Sequence, residues 1–351
     1  MKTGSRREWL LEHAPTDGVF AEAMKTMPSL LGLRGHIGHP VIFPLKSCAP
    51  LGGAYDVRIA ESGLQLESDE RVCDRMMMLA RRQPGRIGGT EYRYVRFSQR
   101  EEGRLLWLEP ALETFHRMGF RADCALHFPQ LKGVVIGIDK LAPQTGAVSM
   151  LRMFPTGGFE PVVAYEDHPL TDFVQAFLGQ LPGSRNYDPK DIVVAFPVKG
   201  HARHVEEIHR VGEEGYTLLS DGGSVLTVSA STFDVVCAKL GLAIGVEVLR
   251  GNLILYDLPP YAEYLIKEVV IGPRRARMRF GGVCVRCKTV DVDPAMGEHT
   301  NGMLAWLRDN HPPRPEDGKR ATCGFNTIFP ATEQGKILRF GEPFTITEVW
   351  D

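Results

Sequence analysis

The sequence predicts a β-rich α+β fold, with barrel-like sheets and a few peripheral helices. Two observations carry this. Short runs alternate polar and apolar residues between Gly-, Pro- and Asp-containing turns, as in Tyr92-Arg93-Tyr94-Val95-Arg96-Phe97-Ser98 and Ala276-Arg277-Met278-Arg279-Phe280. Helical periodicity is confined to a few separate segments, and the strand-dense first half has short connections, which points to a barrel or a strongly curved sheet.

The bounds agree with one large domain or two intimately joined ones, because the chain has 351 residues and a hydrophobic fraction of 43%. Lys+Arg number 41 against Asp+Glu 43, a formal net charge of -2, which argues against a dedicated nucleic-acid binder. No apolar run reaches the length of a membrane span. Met1 to Leu11 is charged and lacks a signal-peptide core. Seven cysteines at irregular spacing suggest reduced thiols, so a cytoplasmic compartment is expected, with a mitochondrial address left open.

In chain order, residues 5–31 carry a mixed helical pattern (Trp9, Leu10, Leu11, Phe20, Ala23, Met24, Leu30), and a helical extension is expected over 1–37. A short apolar strand then ends at Pro44-Leu45-Lys46-Ser47-Cys48, a turn presenting a lysine and a hydroxyl. Such a corner is an anion site or an ordinary solvated turn. Tyr55–Ile59 and Leu64–Leu66 read as paired strands around Glu61-Ser62-Gly63. Arg75, beside Asp74, stands at the mouth of a buried strand whose Met76-Met77-Met78 reads as core filler. Leu105–Leu108, Cys124–Phe128 and Val134–Ile138 read as further strands. A barrel module over 38–150 and a second domain over 151–351 are expected, with the boundary near the loosened Pro143-Gln144-Thr145-Gly146.

In the second half, a helix is expected from Pro169 to Leu181 and a strand over Asp191–Pro197. His201, His204 and His209 lie in a charged run without a carboxylate at zincin spacing, and read as a solvated loop or helix. Asp221-Gly222-Gly223 turns the chain into the strand Ser224–Ser229, after which Ser229, Ser231 or Thr232 can cap a helix over Phe233–Leu240. Arg250-Gly251-Asn252 precedes a strand and forms another anion-binding corner. Arg275, Arg277 and Arg279 alternate along one outward strand face. Residues 301–309 read as a short helix, Pro312 to Pro315 as an exposed loop, and Phe344–Val349 as the last strand.

The stretch that organises this pattern is Gly281-Gly282-Val283-Cys284-Val285-Arg286-Cys287, followed by Val292-Asp293-Pro294. There is no second CxxC to complete a structural zinc site. The pair follows a strand instead of opening a helix, so it does not fit a thioredoxin-type redox motif. If the strand continues, residues 284 and 286 face one way and 285 and 287 the other. One thiol can then act alone as a soft ligand to a thiophilic metal. The alternative, which spacing alone favours, is that both cysteines are small core residues.

Taken in order, Pro44-Leu45-Lys46-Ser47-Cys48, Asp74-Arg75, Arg250-Gly251-Asn252, Arg286-Cys287 with Val292-Asp293-Pro294, and Gly341-Glu342-Pro343 resemble the MOSC-domain proteins. The match runs from about residue 38 to 350, and the branch it most resembles is that of the amidoxime-reducing components. The resemblance implies an N-terminal β-barrel module packed on a MOSC-type β-barrel domain, with molybdenum cofactor in the cleft between them. It implies Cys287 as the metal ligand and Lys46, Ser47, Arg75, Arg250 and Asn252 as contacts of the cofactor phosphate. Arg286 and Ser229 join them as candidate cofactor-binding residues, and Asp293 as a candidate catalytic residue that positions a proton or the local loop.

There are departures from the family pattern. Arg-Gly-Asn replaces Arg-Pro-Asn and is expected to loosen that corner. Met76 and Met77 replace an aromatic, and Tyr264 follows Ala262-Glu263 where an acidic residue and then tryptophan are common. The N-terminal extension has no counterpart, and no ferredoxin module follows the last strand.

The implied function is a molybdenum-dependent oxidoreductase reducing N–O bonds in N-hydroxylated small molecules, fed by a separate electron-donor protein, with no nucleic-acid partner. The alternatives are a non-catalytic carrier of molybdenum cofactor or sulfur on Cys287, and a specialised biosynthetic-pathway enzyme of the same fold.

Overall fold

The computed structural model describes residues 5–15, 18–114, 117–122, 131, 133–141, 147–154, 157–183, 185–294, 296–299, 302–315, 318 and 321–350. Its frame is β-rich, as expected, and contains two closed barrels. The larger barrel runs through Arg34–Ile37, Leu253–Tyr256, Val225–Ser229, Thr322–Ile328, Ala276–Val285, Ile266–Ile271 and Pro343–Val349, and closes on its first strand. All its pairings are antiparallel except that of Val225–Ser229 with Leu253–Tyr256. The smaller barrel links Met77–Ile87, Thr90–Phe97, Val148–Phe154, Gly157–Tyr165 and Ile192–Pro197, which returns to Met77–Ile87. Leu45–Lys46 adds to it in parallel beside Met77 and Met78.

Closure removes the exposed edges that a curved sheet would otherwise leave. Core side chains fill both barrels, and one cluster holds Leu45, Met77 and Phe97 of the smaller together with Phe325, Phe344 and Ile346 of the larger. Met76, Met77 and Met78 are all buried, so the methionine run is core, as read from the sequence.

Two domain expectations change. Strands on either side of residue 150 hydrogen-bond in one barrel: Val148–Phe154 pairs with Gly157–Tyr165, and Gly157–Tyr165 with Ile192–Pro197. The loosened composition marks a connection within a barrel, and the chain returns to the larger barrel, which its first strand Arg34–Ile37 already joins, only after Pro197. The N-terminal extension is also not purely helical. Arg6–His13, capped by Ser5 and Glu8 in a reciprocal box, and Val19–Thr26 are helices. Arg34–Ile37, however, is the strand that closes the larger barrel. Phe20 is fully buried edge-on to Tyr261 and Tyr264, with ring centroids 5.1 Å from each, which seats the second helix on that barrel.

The helix Pro169–Gln180 matches its expected span. The helix after Ser229 begins at Ala230, three residues earlier than read. Leu105 lies in a 3-10 turn, Gly103–Trp107, that leads into a strand at Leu108–Thr114. The expected strand Cys124–Phe128 and the turn Pro143 to Gly146 lie outside the described residues. No helix among the described residues is long and apolar enough to cross a membrane.

Candidate functional site

A cavity of about 560 Å³ opens at the seam between the barrels. Lys46, Ser47 and Arg75 reach it from the smaller barrel's entry, and Arg250, Arg286 and Cys287 from the larger barrel. Residues separated by some 200 positions thus meet at one wall. The backbone there is unusual. Ser47 (φ 73), Arg75 (φ 51) and Arg250 (φ 55) are three of only eight non-glycine residues with positive φ among those described. Left-handed backbone costs a branched or long side chain of order 1 kcal/mol, and such strain concentrates at functional sites.

Arg75 is aimed by its neighbours. Its guanidinium pairs with the buried Asp74, whose Oδ1 accepts from Phe43 N at 2.9 Å. Its Nη1 donates to Asn252 Oδ1 at 3.1 Å, and the Phe43 ring lies under it, 5.4 Å from the guanidinium carbon. Arg250 stacks more closely on that ring, at 4.4 Å, and donates to Cys48 O at 2.6 Å. Burial and the nearby Arg75 pull Arg250 down to about 10. Two guanidiniums sharing one ring leave an electropositive corner that an anion would relieve.

Asn252 itself is fully buried and faces away from the cavity. Its Nδ2 donates to Val41 O (2.9 Å), and its Oδ1 accepts from Leu226 N (3.0 Å) as well as from Arg75. Gly251 does not loosen this corner as expected. A Cβ there would come within 2.7 Å of Val228 Cγ2, so the glycine is needed for close packing.

Lys46 is buried and donates to Leu219 O at 2.6 Å and to Asp221 Oδ1 at 2.7 Å. Burial pulls its ammonium down to about 7, against the pull of Asp221. Asp221 also accepts from Arg96 Nη1 at 2.6 Å. Burial opposes its charge, but Lys46 and Arg96 outweigh it and hold the carboxyl well below the usual range.

The cysteines divide by environment. Burial pushes Cys48, Cys73 and Cys323 up to about 12. Cys287 goes the other way. Burial would raise it, but the positive charge of Arg100 and contacts with the hydroxyl and backbone of Thr289 lower it below the usual thiol value. Its Sγ lies 3.1 Å from Thr289 Oγ1. The strand ends at Val285, and the alternation read from the sequence persists in the contacts. Cys284 meets Arg286, whose Nη1 lies 3.3 Å from its Sγ, whereas Cys287 turns to Thr289 and Arg100. Arg286 also donates to Leu249 O at 2.5 Å, so it braces the wall that carries both thiols.

Two expected site residues stand elsewhere. Ser229 is buried at the helix start, where its Oγ contacts Ser231 Oγ at 3.0 Å, and it does not line the cavity. Asp293 organises its own turn: its Oδ1 accepts from Met296 N (3.2 Å) and its carbonyl from Gly297 N (2.7 Å). Of the two roles read for it, the geometry supports holding the loop.

Other cavity residues were missed by sequence reasoning: Arg96, Arg100, Asp221, His209 and Asn326. His209 was read as solvated but is 3% exposed, and burial, with Arg314 and Arg203 nearby, pulls it down to about 4. Asn326 Oδ1 accepts from Gly223 N at 3.1 Å, so its Nδ2 faces the His209 ring at 3.3 Å. The missed signal was the two glycine pairs. A Cβ at Gly282 would lie 2.5 Å from His209 Nδ1, one at Gly222 3.0 Å from its Nε2, and one at Gly281 would overlap its carbonyl oxygen. The glycines clear a slot for this imidazole.

Among the described residues, no group of three or more His, Cys, Asp and Glu is placed to hold a metal ion. No family model matches the chain, and no curated protein matches it significantly.

Proposed function

We propose that this chain is a MOSC-type protein that holds molybdenum cofactor between its barrels, with Cys287 as the protein ligand to the metal, and reduces N–O bonds of N-hydroxylated small molecules. The observation that supports this best is the convergence, on one cavity, of a thiol biased toward its anion with a hydroxyl and two guanidiniums presented by left-handed backbone at Ser47, Arg75 and Arg250.

The donor chemistry suits that group. A terminal phosphate is a dianion, and Lys46, Arg75 and Arg250 with the Ser47 hydroxyl would neutralise and orient it. A thiolate is the right donor for a soft metal. Cys287 would be a lone protein ligand among the described residues, which suits a metal whose other ligands come with an organic chelate. When bound, the cofactor supplies two-electron oxygen-transfer chemistry. The chain's own share is to anchor the phosphate, hold the Cys287 sulfur through Thr289, and enclose the site between two rigid barrels. Electrons come from a separate donor protein.

The test is metal content by inductively coupled plasma mass spectrometry on protein from a host that makes the cofactor, with Cys287→Ser in parallel. Near-stoichiometric molybdenum, lost in the variant, followed by reductant-driven turnover of an amidoxime, is the expected result. Bound molybdenum without turnover would favour a carrier. No molybdenum in either protein, with the host's supply verified, would sink the reading.

A further inference from the structure

Gln99 lines the cavity, is 1% exposed, and makes no side-chain hydrogen bond among the described residues; its buried Nε2 has no partner. Turning the amide over only exchanges which end is left unpaired. A buried amide in that state is costly, and native folds rarely keep one without a use. The other buried polar groups of the wall are engaged. Ser220 Oγ donates to Gly223 O at 3.0 Å, Lys46 holds Asp221, and Asn326 bridges Gly223 N and the His209 ring. Arg286 and Arg314 each keep a buried Nε without a hydrogen bond, but both residues interact elsewhere. Ser47 stands in the phosphate corner, which leaves Gln99 unused.

The turn that carries Gln99 is rigid. The Glu101 carboxylate accepts from Ser98 N (3.0 Å) and Ser98 Oγ (2.8 Å), and Arg100 N donates to Ser98 Oγ at 3.3 Å. Glu101 N and Glu102 N donate to Ser98 O at 2.9 and 3.1 Å. Side chain and backbone thus lock the residues on both sides of Gln99. Gly103 then presses backbone to backbone on Gly297, where a Cβ would overlap the Gly297 carbonyl oxygen, and Trp107 Nε1 donates to Pro294 O at 3.1 Å. The turn is therefore clasped to the loop that follows Cys287, so a ligand would not have to order it.

A carboxamide presents one acceptor and two donors in one plane. Both of its ends are satisfied at once only by a ligand that places an N–H and an acceptor side by side in that plane. The cavity's cations suit an anion, whereas this uncharged amide suits a neutral group. Among N-hydroxylated molecules the matching edge exists where the carbon of a C=N–OH group also carries an N–H, which then stands beside the N–O oxygen. A simple oxime lacks it.

We propose that Gln99 is a specificity-determining residue that binds this edge, with Oε1 accepting from the substrate N–H and Nε2 donating to the N–O oxygen. This rests on the reading of the chain as a reductase of N–O bonds. The probes are benzamidoxime and benzaldehyde oxime, which differ only in NH2 against H on the carbon of the C=N–OH group. Their binding is measured by titration calorimetry on full-length wild type, Gln99→Met and Gln99→Leu. Molybdenum is assayed on the same samples, and urea unfolding is run on each protein without probe.

The wild type is expected to bind benzamidoxime about tenfold more tightly, and both variants to lose that preference while keeping their molybdenum. Because the amide has no protein partner, Gln99→Met should unfold at no lower urea than the wild type. Lower urea midpoints in both variants would show that the amide is structural, and would overturn the inference. Equal binding of the two probes by the wild type, or an undiminished preference in the variants, would overturn it while leaving a molybdenum-loaded protein's cofactor reading intact. Loss of molybdenum in the variants alone would put the edge on the cofactor and overturn the assignment to substrate. If the wild type holds no molybdenum, the cofactor reading falls, and the probe preference on that protein and its variants keeps or overturns the role of Gln99.

Discussion

Arg75 Nη1 donates to Asn252 Oδ1 at 3.1 Å, and the same oxygen accepts from Leu226 N. One buried amide thus ties the entry of the smaller barrel to two strands of the larger and aims a cation into the cavity. Asn252→Ala removes all three side-chain bonds and leaves Leu226 N and Val41 O without them. A buried donor or acceptor left unpaired costs about 1–3 kcal/mol, so the variant should unfold at clearly lower urea and lose part of its thermal stabilisation by sulfate. A wild-type urea midpoint would show that Asn252 does not hold the corner.

The Lys46–Asp221 pair yields a pH-dependent expectation. Burial holds Lys46 near 7, so the cavity loses a positive charge as pH rises through that value. Sulfate stays a dianion across the range, so its stabilising effect on the wild type should fall between pH 6 and 8.5 as Lys46 loses its charge. In Asp221→Asn the charge that supports the ammonium is gone, and the fall should come at lower pH. Melting temperatures with and without sulfate, taken across pH, read this directly. Identical pH profiles for the two proteins would refute the coupling.

Which parts of the site were legible follows from how each residue is recruited. Lys46, Ser47, Arg75 and Arg250 sit at corners flanked by proline, glycine or acid, where a short motif betrays an unusual backbone. The barrels were legible because period-2 alternation records which face of a strand is buried. Arg96 and Arg100 carry no local mark, and the Gly222-Gly223 pair marks Asp221 only as a turn. They matter because closure of one barrel on the other brings them to Lys46 and Cys287. The break near residue 150 was misread because a loop inside a barrel has the same loose composition as a linker between domains. Ser229 was misread because a hydroxyl at a strand end serves a helix start as readily as a ligand.

The glycine slot around His209 can be taken apart one position at a time. At Gly281 an added Cβ meets the His209 carbonyl oxygen, whereas at Gly282 its nearest contact is the His209 ring at 2.5 Å, with Ile208 O behind it at 2.9 Å, so removal of the ring relieves only the larger part of that clash. Overpacking of this kind costs about 1–3 kcal/mol, so both alanine variants should be less stable than the wild type. The double variant Gly282→Ala with His209→Ala should recover stability relative to the sum of the single effects. Gly281→Ala with His209→Ala should not, because the clash is with backbone. Denaturant unfolding of the six proteins is the measurement. Recovery in the Gly281 pair would mean that the ring, and not the main chain, fills the space at that glycine.

Glu263 offers a stability test far from the cavity. It is 2% exposed, and burial pushes its carboxyl up to about 7 although Thr232 Oγ1 donates to it at 2.9 Å. Its folded value lies above the unfolded one, so the folded state holds the extra proton between roughly pH 4.5 and 7. The stability this contributes is complete below the unfolded value and is lost as pH rises through 7. His209 and His311, pulled down to about 4, act in the opposite sense, and their contribution is lost as pH falls below 6.5. Comparison with Glu263→Gln cancels these terms, because the histidines are common to both proteins. The wild type should therefore lose ground to Glu263→Gln as pH rises from about 4.5 to 7, by about 1–3 kcal/mol, and no further above that. Urea unfolding of both proteins at each pH measures the difference, and parallel stability curves across that window would mean that Glu263 is ionised in the folded protein throughout.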